Sequence, residues 1–138
     1  MRFVDTNVLL YGLSRDPAER EKAERARGLL TARDLVLSVQ VLQEFYVQAT
    51  RASRADRLRH DQAVRLVESF CRYPVQDLTL GVVRAALATR ERWRLSYWDA
   101  AILEAARASR CEIVLSEDLS DGTDYDGVRV ENPFRGMA

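Results

Sequence analysis

Short apolar runs alternate along the chain with longer stretches in which apolar residues recur at helical spacing. Arg2-Phe3-Val4, Leu35-Val36-Leu37 and Glu112-Ile113-Val114-Leu115 read as buried strands, Val75 to Leu78 as a weaker one, and Val128-Arg129-Val130 as a last short strand. Val8 to Tyr11 forms a short helix behind the first strand. Asp16-Pro17-Ala18-Glu19 marks a helix start, with an acid cap, proline in the first turn and Glu three residues after the cap. That helix runs through Ala26 and ends between Gly28 and Ala32. Ser38 caps the next, whose apolar face is Val41, Leu42, Phe45 and Ala49. A further helix spans about Asp61 to Arg72, turns Val64, Val67 and Phe70 inward, and stops before Pro74. Leu80 to Arg92 and an alanine-rich segment from Ser96 to Ala108 supply the last two helices, with Trp98 expected in the core.

Strands alternating with helices predict an α/β fold, a three-layer α/β/α sandwich on a central, mainly parallel sheet. No repeat, low-complexity stretch or linker divides the chain, so residues 1–138 are expected to form a single domain. The 47% apolar and 30% charged composition is that of a globular protein. No apolar run nears the ~18 residues of a membrane span, and no secretory signal pattern opens the sequence. A cytoplasmic protein without membrane partners is expected.

Cysteine and histidine usage narrows the chemistry. Cys71 and Cys111 have no CxxC or Cys/His ligand spacing, and His60 is the only histidine. A zinc site, a histidine-based triad and a disulfide framework are therefore disfavoured, and both thiols are expected to be buried and reduced. A net charge of zero argues against a protein that coats nucleic acid, but not against one with a local basic patch. Almost all the basic residues are arginine, Lys22 being the only lysine.

Open parallel sheets bind ligands outside the carboxyl ends of their strands. Four acids satisfy that placement: Asp5 after the first strand, Glu44 on the helix after the second, Asp99 in the first turn of the alanine-rich helix, and Asp118 after the Ile113 strand. Oxygen ligands of this kind suit Mg²⁺ or Mn²⁺. Each acid also has an ordinary explanation. Asp5 can cap a helix, and Glu44 borders the apolar face. Asp99 can complete a capping box with Ser96, and Asp118 can belong to a turn rich in Asp121, Asp124 and Asp126. Among 21 acidic residues, spacing alone leaves these alternatives open.

Asp5-Thr6-Asn7 after the first strand resembles the opening of PIN-domain nucleases. The similarity continues through Ser38 to Glu44, Tyr97-Trp98-Asp99-Ala100-Ala101-Ile102, Leu115-Ser116-Glu117-Asp118-Leu119 and Val130-Glu131-Asn132-Pro133-Phe134. In this order the segments are similar to those of VapC-type toxins and span nearly the whole chain. The resemblance implies a metal-dependent endoribonuclease that hydrolyses RNA with Mg²⁺ or Mn²⁺ and is inhibited by a cognate antitoxin. It also implies a homodimer, with Leu9, Leu10 and Tyr11, or Trp93 and Leu95, as possible contact surfaces. By the same resemblance Asp5, Glu44, Asp99 and Asp118 are catalytic, Asp5 and Asp99 hold the metal, and Thr6, Asn7 and Ser116 support them. Asp121 is a possible additional acid. Arg51, Arg54, Arg57 and Arg59, with His60, form a cluster that either positions RNA phosphates or is a solvated connection balanced by Asp56 and Asp61. The alternative of another class is a PIN-like RNA-binding module without catalysis. A receiver domain would need a lysine after a late strand, and a haloacid-dehalogenase-like phosphatase a second aspartate where Asn7 stands.

Overall fold

The computed structural model describes residues 1–137. Its elements are β1 (Arg2–Val4), α1 (Thr6–Leu13), α2 (Arg20–Leu29), β2 (Leu35–Ser38), α3 (Val39–Ala49), α4 (His60–Phe70), β3 (Val75–Gln76), α5 (Leu80–Trp93), α6 (Tyr97–Ala108), β4 (Ile113–Leu115), β5 (Asp124–Tyr125) and β6 (Val128–Glu131). The strands form one sheet in the order β3-β2-β1-β4-β6-β5, parallel except for the β5–β6 pair. Helices complete the three-layer sandwich: α1 packs on α2 and α3, α3 on α4, α5 on α6, and α6 against the sheet. Burial on both faces explains the unbroken apolar runs; Phe3, Val4, Leu35, Leu37 and Val114 are fully buried.

Strand order decides where a site can form. From β1 the chain steps outward through β2 to β3, then returns to the other side of β1 as β4. Winding therefore reverses at β1, and the connections leaving adjacent strand ends diverge to open a crevice. The pairing continues one residue past β1, because the Asp5 N–H donates to the Leu115 carbonyl at 3.0 Å. Asp5 thus enters the crevice on backbone already fixed by the sheet.

Several expectations are corrected. Asp16 accepts from the Ala18 N–H, but it opens a short 3-10 turn, Pro17–Glu19, before α2 begins. Glu19 completes no capping box there; it accepts from the Ser14 hydroxyl instead. Val64 points away from the core, into an open apolar hollow of about 510 Å³ that Leu42, Tyr46 and Val47 also line. Leu9 is buried in the core and so is not a contact surface. Cys111 is buried but Cys71 is exposed, and both are free. Trp98 is 64% exposed, because α6 meets α5 through alanines, Ala100 and Ala101 against Ala86, which leave no room for an indole. The β5 strand was not expected. A two-residue Asp126-Gly127 turn creates it, with φ of 54° and 95°, the left-handed pair that closes a tight hairpin.

Phe45 is fully buried and packs edge-to-face on Phe70 with ring centroids 5.0 Å apart. Phe45→Ala should lower unfolding free energy by about 3–5 kcal/mol, whereas Trp98→Ala should stay within about 0.5 kcal/mol. Urea denaturation of the two variants beside the parent checks both. Equal losses would contradict this assignment of the core.

Candidate active site

Asp5 ends the first strand and caps α1, so cap and site coincide. The residue is only 5% exposed. One carboxylate oxygen accepts the Thr6 N–H at 2.7 Å, the other the Ser116 hydroxyl at 2.7 Å. Ser116 stands just beyond β4 and is completely buried. Its oxygen also accepts the N–H groups of Asp118 at 3.1 Å and Leu119 at 3.4 Å. One hydroxyl therefore orients Asp5 and shapes the turn that carries Asp118. Asn7, the second residue of α1, braces the same turn. Its amide donates to Asp118 at 3.1 Å and to Ser116 at 3.4 Å, and its oxygen accepts the Glu117 N–H at 3.3 Å.

On the other side of the crevice, α3 brings in Glu44 and α6 brings in Asp99. The buried Gln40 amide donates to Glu44 at 2.9 Å and to the Trp98 carbonyl at 3.2 Å, tying the two helices together beside the acids. Gln40 is a positioning residue that sequence reasoning missed; its signal was the i,i+4 Gln–Glu spacing. Ser96 caps α6 by accepting the Asp99 N–H at 3.1 Å. Half of the expected capping box is therefore present beside the site.

The four acids are coupled through like-charge repulsion. Burial pushes the Asp5 carboxyl up to about 7; hydrogen bonds from Ser116 and Thr6 oppose the rise, and the charges of Asp118 and Glu44 add to it. Glu44 is raised by burial, against the Gln40 hydrogen bond and with help from Asp99 and Asp118. Asp99 is raised by burial, against Ser96 and with help from Asp118. No basic side chain contributes to any of the three shifts. Among the described residues, no three Asp, Glu, His or Cys side chains stand close enough to form a ready-made metal shell. The acids share a field without closing into a cage, as repelling like charges do.

The neighbouring acids and bases have other duties. Burial would raise Glu117, but Lys22 at 2.6 Å and the Tyr11 hydroxyl at 2.6 Å together hold its carboxyl below the ordinary value. This network joins the only lysine to the turn before Asp118 and was not foreseen. Asp121 accepts the Asn132 N–H at 2.8 Å and lies near Arg135, so it secures the C-terminal turn. Of the arginine cluster, Arg51, Arg57 and Arg59 are exposed, Arg59 paired with Asp61 at 3.1 Å. Arg54 is turned inward, and His60 bonds to the Tyr46 hydroxyl at 2.7 Å.

The family model described as the PIN domain matches residues 2–120. A toxin–antitoxin complex from Klebsiella pneumoniae shares 20% identity, with 97% of this chain and 98% of that one covered at a TM-score of 0.70. The Mycobacterium tuberculosis VapC20 toxin, described as cleaving the sarcin–ricin loop, shares 17% identity over 86% of this chain and 92% of its own, at 0.67. DNA-bound VapBC from Salmonella typhimurium shares 21% over 96% and 97%, at 0.65. These likenesses show a common fold. No curated protein matches the chain in sequence.

The raised Asp5 carboxyl has a signed consequence for stability. The stabilisation of its protonated form is complete below the ordinary value of 3.8 and is lost as pH rises through about 7. Asp5→Asn cannot ionise. In EDTA it should therefore gain stability relative to the parent between about pH 4 and 7.5, by a few kcal/mol at about 1.4 kcal/mol per pKa unit. Urea melts across that range check this; parallel curves for the two proteins would show that Asp5 ionises freely.

Proposed function

The chain belongs to the PIN domain family, and from that premise we propose that it is a metal-dependent endoribonuclease and the toxin partner of a protein antitoxin. The observation that carries this reading is the gathering of Asp5, Glu44, Asp99 and Asp118 at one crevice, where Asp118 and Glu44 couple the other acids by like-charge repulsion and no basic side chain among the described residues offsets the shifts. A site of that kind favours a positive ion. Its donors are all hard oxygens, which fits Mg²⁺ or Mn²⁺. Each Asp5 oxygen accepts one hydrogen bond and keeps a second lone pair free.

We assign Asp5 and Asp99 to the ion. When bound, such an ion polarises a phosphodiester oxygen and lowers the pKa of a nearby water. Glu44, half-buried and raised, is suited to accept the proton of the water that attacks phosphorus. Asp118 adds negative charge to the same cluster, while Asn7 holds it in position. Ser116 and the Thr6 backbone hold Asp5. Water is the nucleophile in this scheme, because the four grouped side chains include no thiol or imidazole.

RNA as substrate is supported by the description of the Mycobacterium tuberculosis neighbour, and an antitoxin partner by the Klebsiella pneumoniae complex. A homodimer working in the cytoplasm belongs to the same reading. No helix among the described residues is long and apolar enough to cross a membrane. Light scattering at micromolar concentration checks the dimer, a monomer counting against it.

The test of the site is Asp99→Asn. Cleavage of RNA should require Mg²⁺ or Mn²⁺, stop in EDTA, and fall at least about a hundredfold in the variant, since losing even an outer partner of a metal ligand costs about 10–100-fold. Without metal the variant should be as stable as the parent or slightly more so, and saturating metal should stabilise it less. A purely capping Asp99 gives the opposite pattern, a loss of about 0.3–1 kcal/mol with an unchanged metal response. RNA bound but never cut, with either metal, would replace the nuclease by a binding module.

A further inference from the structure

Beside the acids lies a second hollow, of about 230 Å³, whose lining includes Asn7 and Asp118 from the acid crevice. Leu10 and Tyr11 give it an apolar wall, and Arg54 is the one basic residue that lines it. Through Glu19 and Arg54 it continues into a groove of about 520 Å³ that passes Ser14 and Asp56. The two form a track leading away from the acids, with a guanidinium at their junction.

Apart from Asp118, which belongs to the acid crevice, the acids along this track are engaged within the protein, Asp16 by the Ala18 N–H. Glu117 is held by Lys22 and Tyr11, and Glu19 by the Ser14 hydroxyl. Asp56 lies 2.9 Å from the Arg54 Nε, but outside hydrogen-bonding geometry, so that buried N–H has no partner among the described residues. The other Asp56 oxygen accepts the Arg15 N–H at 3.1 Å. Arg54 is thus anchored beside Asp56 through its buried Nε, while its two terminal guanidinium nitrogens donate to no group among the described residues. Guanidinium groups bind phosphate oxygens through two parallel N–H bonds, and an apolar wall beside one suits a ribose or base.

We propose that this track carries the RNA strand on one side of the cleaved bond, with Arg54 gripping a phosphate that flanks it. The proposal rests on the nuclease reading for its substrate. It separates Arg54 from Arg51, Arg57 and Arg59, which line neither hollow.

Binding of a single-stranded oligoribonucleotide, measured in an Asp99→Asn background as a function of salt, tests it. Adding Arg54→Gln should weaken binding about tenfold and flatten the slope of log K against log salt by about 0.7, the contribution of one phosphate contact on a single strand. In the active enzyme the same change should raise KM more than it lowers kcat. Arg54→Lys should keep the slope while binding less tightly, and Arg84→Gln, an exposed arginine on α5, should change neither. Parent-like affinity and slope in Arg54→Gln overturn the proposal. Should that variant fail to fold, Arg54→Lys decides: raised KM with the parent slope supports it, and parent KM overturns it. An unaltered slope in an enzyme that cleaves RNA sinks this assignment alone; absent cleavage with a flattened slope sinks the nuclease reading and leaves Arg54 as an RNA contact.

Discussion

The hydrogen bond from Ser116 to Asp5 joins residues 111 positions apart and closes the carboxyl ends of two neighbouring parallel strands. Charge-assisted bonds of this kind are roughly twice as strong as neutral ones. Here one opposes the cost of burying a carboxylate at the point where the sheet reverses its winding. The same serine oxygen receives two N–H groups from the following turn. The direction of Asp5 and the course of the chain to Asp118 both depend on that one buried hydroxyl. Neither strand alone defines a site; their adjacency does.

The crevice is held open by rigid parts and remains electrostatically unsatisfied. Backbone pairing, the Gln40 bridge and the Asn7 bridge fix the acids, yet no basic side chain among the described residues offsets the raised carboxyls of Asp5, Glu44 and Asp99. Sites held away from their own stability optimum in this way are where activity and stability trade against each other. The protein carries that strain on a core in which Phe3, Phe45, Leu35 and Leu37 are fully buried.

Much of the framework was legible because a parallel sheet covered on both faces writes its central strands as plain apolar runs. The ends of those runs then located Asp5 and Asp118. The choice between catalytic acids and ordinary caps was not legible from spacing, and the structure shows why: Asp5 caps α1 while it stands at the crevice, and Ser96 caps the helix that carries Asp99. Contacts across long sequence separations were also hidden. Gln40 reaches a carbonyl 58 positions away, and Lys22 a carboxylate 95 away; no local pattern encodes either. Trp98 and Val64 were misjudged because helical periodicity reports an apolar face without saying whether a neighbour covers it. The Asp126-Gly127 hairpin was legible in principle, since that dipeptide is a strong turn signal.

Both outer strands of the sheet, β3 and β5, are only two residues long. A strand needs several consecutive free N–H and C=O groups to recruit another, and proteins commonly keep edges short for this reason. This sheet therefore offers almost no template for β-augmentation, the recognition mode in which a partner adds a strand and gains its affinity from main-chain bonds. A protein that binds this one has to read side chains on helices and loops. Its specificity then changes with surface substitutions one residue at a time, which backbone-mediated pairing would largely ignore.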